Sequence, residues 1–179
     1  MAQLKYVAFL RGMNLGRRRI TNPELAAAFE AIGLSQVSVY QASGNVVFES
    51  SAKAASLTPQ LEHGLERELG YPVPTFLRSL KALQQLVASP PFGDRATTNR
   101  GGKAQVVFLT RKPAAKAAAA TLAFETDADW LALEGPQLLW WPALGVGKSE
   151  LDFKALEKHT GPTTVRTVGT VERIVKKFS

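Results

Sequence analysis

The 179-residue sequence predicts an α+β fold: two tandem β-α-β-β-α-β subdomains, each ferredoxin-like, packed into one two-lobed body. Three observations carry this. Short strand-like runs and helical stripes follow one another in the order strand, helix, strand, strand, helix, strand. That order occurs twice, with Val106 to Leu109 echoing Val7 to Leu10. Between the copies, a segment rich in Pro, Gly, Thr and Asn reads as a linker. The expected boundaries are therefore 1–89 for a first subdomain with an extra helix, 90–102 for the linker loop, and 103–179 for a second subdomain with a terminal helix.

In the first copy, Leu4–Leu10 is strand-like by its Tyr, Val and Phe content. Asn22 and Pro23 supply an N-cap and a proline at the first helical position, Leu25, Phe29 and Ile32 share a face, and Gly33 stops the helix. Val37–Tyr40 and Asn45–Glu49 read as two strands of a hairpin joined through Gln41 to Gly44. Thr58 and Pro59 open a second helix with Leu61, Leu65 and Leu69 on one stripe, ended by Gly70, and Pro74–Leu77 is the fourth strand. A third helix spans Leu80–Ala88.

The second copy begins with Val106–Leu109 and an alanine-rich helix opened by Pro113. Trp130–Leu133 and Gln137–Trp141 form a hairpin around Gly135 and Pro136. Leu151–His159 is a helix with Ser149 as its cap, Thr163–Thr167 a strand, and Val171–Phe178 a terminal helix. Leu138 and Trp140 point to one side of their strand and Leu139 and Trp141 to the other, so both faces must be covered.

Composition narrows the function classes. The absence of cysteine excludes disulfides, thiolate metal sites and cysteine nucleophiles. No apolar run reaches the ~20 residues that span a bilayer. The amino terminus lacks the basic-then-apolar layout of a secretory signal, so a cytoplasmic location and no membrane partner are expected. The net charge of +7 is spread over both halves, and only Arg17, Arg18 and Arg19 form a basic run. That balance suits nucleic acid, phosphorylated metabolites or simple solubility.

The segment that most suggests chemistry leaves the first strand. Arg11, Gly12, Met13, Asn14, Leu15 and Gly16 form a glycine-punctuated loop next to the basic run. In a plait, strands one and two run in the same direction. The exit of the first strand and the hairpin of the second and third then share one sheet edge. Arg11, Gly12, Asn14 and Gly16 are thereby set near Ser43, Gly44 and Asn45. A guanidinium, two amides, a hydroxyl and glycine N–H groups at one edge are chemistry for a phosphate or carboxylate. Lys148 is a further candidate anion contact. Equally, the asparagines can tie turns to the backbone and the glycines can serve positive φ.

Phe9 to Asn14 with Gly16, and Tyr40 to Phe48, resemble the paired signatures of a bacterial family known as the domain of unknown function 1697 family. The resemblance extends to Val146 to Ser149 and to Thr164 to Thr170. Where that family carries Arg-Asn-Trp-Asn-Thr, this chain has Arg166-Thr-Val-Gly-Thr170, so the central three side chains differ. The resemblance implies two ferredoxin-like subdomains and no established activity.

Other constellations are sparse. His63 lies off its helix's apolar stripe, and His159 sits in a last helical turn where the dipole favours its cation. Asp127 and Asp129 lack companion ligands, so no metal and no cofactor is expected. Phe108, Trp130, Trp140 and Trp141 could stack on bases but read as core, and no RNA-recognition strand pattern is present. The leading expectation is a binding protein that holds an anionic small molecule or nucleic acid at the Arg11–Asn14 and Ser43–Asn45 edge. The alternatives are an enzyme acting on an anionic metabolite, with Ser43 or Lys148 near the chemistry, and a structural or oligomerising module.

Overall fold

The computed structural model describes residues 3–16, 18–41, 44–89, 92–93 and 101–179. The chain is a mixed α+β protein. Its first half runs β1 (Leu4–Leu10), α1 (Asn22–Ala31), β2 (Ser35–Val39), β3 (Asn45–Ser50), α2 (Ala54–Leu69), β4 (Thr75–Ser79) and α3 (Leu80–Ala88). The second runs β5 (Gln105–Leu109), α4 (Ala115–Leu122), β6 (Asp129–Glu134), β7 (Gln137–Pro142), a 3-10 turn (Val146–Lys148), α5 (Phe153–Thr160), β8 (Thr163–Thr167) and α6 (Val168–Phe178). The strands make two four-stranded sheets, ordered β2-β3-β1-β4 and β6-β7-β5-β8, with every neighbouring pair antiparallel.

The residues divide into two compact units, Met1–Gln85 with Ile174–Ser179, and Leu86–Arg173. The terminal helix, expected with the second subdomain alone, is thus divided: its last turns belong to the first unit. Lys5 Nζ donates to Phe178 O at 2.8 Å, and the Phe178 ring meets Tyr40 edge-on. Most of the expected linker, 90–102, lies outside the described residues.

In the first unit, Tyr6, Ala8 and Leu10 of β1 join Val46 and Phe48 of β3 and Leu77 of β4 on one face, as strand alternation requires. Phe29 of α1 and Leu57, Leu61 and Leu65 of α2 complete that core. Val7, Phe9, Val47 and Phe76 point to the other face and are buried too. The second unit repeats the pattern. Val107, Leu109, Leu138 and Trp140 pack on Leu156 of α5, while Val106, Phe108 and Leu139 are buried on the opposite face.

The two units also match in detail. Thr75, paired with Leu10, donates its N–H to Glu62 Oε1 at 2.9 Å; Thr163, paired with Leu109, donates to Glu157 Oε1 at 2.9 Å. Arg78 lies opposite Val7, and Arg166 opposite Val106. Each gives an Nη1 hydrogen bond of 2.8 Å to the preceding carbonyl, Leu77 O or Val165 O. Burial pushes both guanidinium pKa values down to about 10, because desolvation penalises the charged form.

Local boundaries depart from the sequence reading at several elements, four of them instructive. The first helix is capped by Thr21 rather than Asn22: Thr21 Oγ1 accepts from Glu24 N, and the Glu24 carboxylate accepts from Thr21 N at 2.7 Å. β2 begins at Ser35, with Gln36 at φ 52° and a register shift against β3 before Ser38. The second helix starts at Ala54, four residues before Thr58, and carries Pro59 inside it. Burying Leu57 on the Leu61–Leu65 stripe favours that early start despite the missing proline N–H. The cap of α5 is Asp152, which accepts from Ala155 N; the expected cap, Ser149, instead donates to Asp129.

Candidate functional site at the exit of the first strand

Antiparallel pairing of β1 with β3 sets Phe9 opposite Asn45, which brings the two predicted loops to one sheet edge. Leu10 N–H donates to Gly44 O at 2.8 Å, and Arg11 N–H to Pro74 O at 3.0 Å. The first residues of the loop are therefore held between the starts of β3 and β4. Met13 is buried and seats against Gly44: a β-carbon there would lie 2.8 Å from Met13 Cγ and 3.1 Å from Leu10 Cβ. Gly44 also has φ +72°, so two independent reasons require glycine.

Asn45 is fully buried and ties the hairpin: its Nδ2 donates to Tyr40 O at 3.1 Å, while Tyr40 N–H donates to Asn45 O. Gly12 and Gly16 have φ of 76° and 58°, the turn role of glycine. Arg11 and Asn14 are exposed on this framework. Ser43 and Arg17 lie outside the described residues. Arg18 places its guanidinium 4.1 Å from the Tyr71 ring centroid, and Arg19 turns back onto its own loop, donating to Gly16 O and Arg18 O. Arg19 and Tyr71 line a cavity of about 550 Å³ with Glu24, Ala28 and Glu68. Tyr71 escaped the sequence reading, since nothing in its local spacing ties it to Arg18.

Lys148 belongs to the second unit. It is exposed and lines a cavity of about 670 Å³ whose walls include Asp127, Asp129, Glu150 and Asp152. Asp129 is buried, with Oδ1 accepting from Trp140 Nε1 at 2.7 Å and from Ser149 Oγ at 2.6 Å. The signal for it was present: Asp129 shares strand parity with Leu131 and Leu133, so its carboxylate is carried on the inward face of β6. His63 and His159 are exposed, His159 beside the Phe124 ring, and no group of three metal-ligating side chains occurs among the described residues. Phe108, Trp130 and Trp140 are buried, and Trp141 stacks on Trp130.

No helix among the described residues is long and apolar enough to cross a membrane. Two antiparallel sheets with this connectivity place the chain among α+β proteins similar to the conserved bacterial protein SP0830 from Streptococcus pneumoniae. That similarity has a TM-score of 0.72 at 22% identity over 98% of each chain, a likeness of fold. The model of a family described as protein of unknown function (DUF1697) matches residues 4–138, and the chain belongs to that family. No curated relative matches the sequence.

Proposed function

We propose that this protein is a binding protein of two tandem ferredoxin-like plaits that holds a small anionic group at the exit of β1. Arg11 and Asn14 make the contact, and Gly12, Gly16, Gly44 and Asn45 build the platform beneath them. The observation that carries the reading is the Leu10 N–H to Gly44 O bond with Met13 seated on Gly44. It joins two loops distant in sequence and holds an exposed guanidinium and amide on a fixed base. A guanidinium so presented suits a phosphate or carboxylate by its planar fork of donors. Burial of Phe108, Trp130 and Trp140 withdraws the rings a nucleic acid would stack on, which favours a small anion over a polynucleotide.

The test is titration of the full chain with inorganic phosphate, adenosine monophosphate and a single-stranded oligonucleotide, followed by backbone amide shifts. Saturable, one-to-one shifts confined to residues 11–16 and 44–45, lost in Arg11→Ala and Asn14→Ala, are expected. Binding that survives both substitutions in folded protein overturns the reading. Oligonucleotide binding that falls steeply with salt would move the assignment to nucleic acid.

A further inference from the structure

We propose that the second unit carries a separate binding site for a small organic ammonium, anchored by Asp129. The residue is 2% exposed, yet it lines the cavity of about 670 Å³ between the end of α4, the start of β6 and the turn before α5. A buried carboxylate is costly unless paired with a cation or saturated by donors. Asp129 has neither condition fully met. Its Oδ1 takes two neutral donors, Trp140 Nε1 and Ser149 Oγ, and its Oδ2 accepts no hydrogen bond among the described residues. No lysine or arginine among them pairs with it. Asp129 lines the cavity, so an occupant there is placed to supply the donor that its second oxygen lacks.

The surroundings select the charge and shape of the occupant. Asp127, Glu150 and Asp152 add three carboxylates against the single ammonium of Lys148, in a chain whose net charge is +7. Phe124, Leu144 and Leu151 give the cavity an apolar wall, and Leu144 is 61% exposed. A cavity of this size, mostly preformed and with one convergent polar anchor, fits a metabolite-sized ligand. The occupant that answers all of this is a primary ammonium on a short hydrocarbon body. Its N–H groups meet Asp129 Oδ2, and its chain lies along Leu144 and Leu151. Trp140 and Ser149 hold the carboxylate in place and serve as positioning residues.

The experiment titrates the intact chain with n-butylammonium chloride, using n-butanol as the uncharged control, and follows the indole N–H resonance of Trp140. A saturable shift with the amine and none with the alcohol is expected. Asp129→Asn keeps the Oδ1 acceptor and removes the charge; it should weaken the amine at least about tenfold. Lys148→Ala removes a competing cation and should tighten binding about threefold, the modest effect of an exposed charge. Lys148→Ala keeps the test decisive if Asp129→Asn does not fold. Equal binding of amine and alcohol, no saturable shift, or weaker binding in Lys148→Ala would each overturn the proposal. The amine probe is independent of the phosphate titration, so either site can fail alone.

Discussion

Ile32, at the end of α1, lies directly over Gly64 of α2: a β-carbon on Gly64 would come within 2.6 Å of Ile32 Cγ1 and 2.7 Å of its Cδ1. The two helices that cover the first sheet meet where one of them presents only hydrogen. Gly64→Ala should cost about 1–3 kcal/mol through overpacking. In an Ile32→Ala background the same change should be neutral, or stabilising by up to about 1 kcal/mol, because alanine is the better helix former. Denaturant unfolding of the four proteins in the cycle checks this, and additive costs would count against the contact.

Gly44 and Gly16 separate backbone strain from crowding. Both have positive φ, but no atom of the described residues lies within 4 Å of a β-carbon at Gly16, whereas Met13 and Leu10 crowd one at Gly44. Gly16→Ala should lose about 1–2 kcal/mol from the left-handed backbone alone. Gly44→Ala should lose more, by a further margin of about 1–3 kcal/mol for the steric conflict. Thermal melts of the two variants give the order.

Pro59 stands inside α2 and cannot donate to the carbonyl four residues earlier, that of Ala55. Its side chain is exposed, so no packing depends on it. Pro59→Ala should stabilise the protein by about 1–2 kcal/mol. The restored helical bond outweighs the freedom returned to the unfolded chain. An unchanged or lower unfolding midpoint would show that the ring has a role in the native state.

The Thr21–Glu24 cap gives a pH signature. Hydrogen bonds from the Thr21 backbone, and then its side chain, hold the Glu24 carboxyl below its ordinary value. A depressed carboxylate contributes stability that is present above its unfolded-state value and lost as pH falls through the folded one. The melting difference between the wild type and Glu24→Gln should be largest at neutral pH and close in strongly acidic buffer. A difference that persists in acid would assign the effect to something other than the charge.

The order of elements was legible because periodicity is written in side chains: Leu61 and Leu65, or Val106 and Phe108 against Val107 and Leu109, state their faces without context. α3 and β8 fall on the residues expected, Leu80–Ala88 and Thr163–Thr167. Helix starts were less legible, because a cap is a reciprocal contact: Thr21 and Glu24 sit at the capping-box spacing, and the neighbouring Asn22–Pro23 pair masked them. The start of α2 was hidden because proline is locally a boundary signal, and only the burial of Leu57 reveals that the helix runs through it. At the candidate site, the meeting of the end of β1 with Gly44 follows from strand direction alone. The packing role of Gly44 does not, since Met13 is remote from it in sequence. Asp129 was weighed as a metal ligand, when its strand parity already placed it on the inward face.

The division of α6 has a consequence for how the chain comes to be folded. Residues 174–179 close the first unit through Lys5, Tyr40 and Gln84, whose Nε2 donates to Ser179 Oγ at 2.9 Å. During synthesis the amino-terminal unit therefore emerges long before its last piece exists. It must wait, with that part of its surface open, until the whole second unit has been made. Completion of the first-made unit thus follows synthesis of the second, so a nascent chain halted before residue 174 should stay more sensitive to protease in its first unit than the full chain.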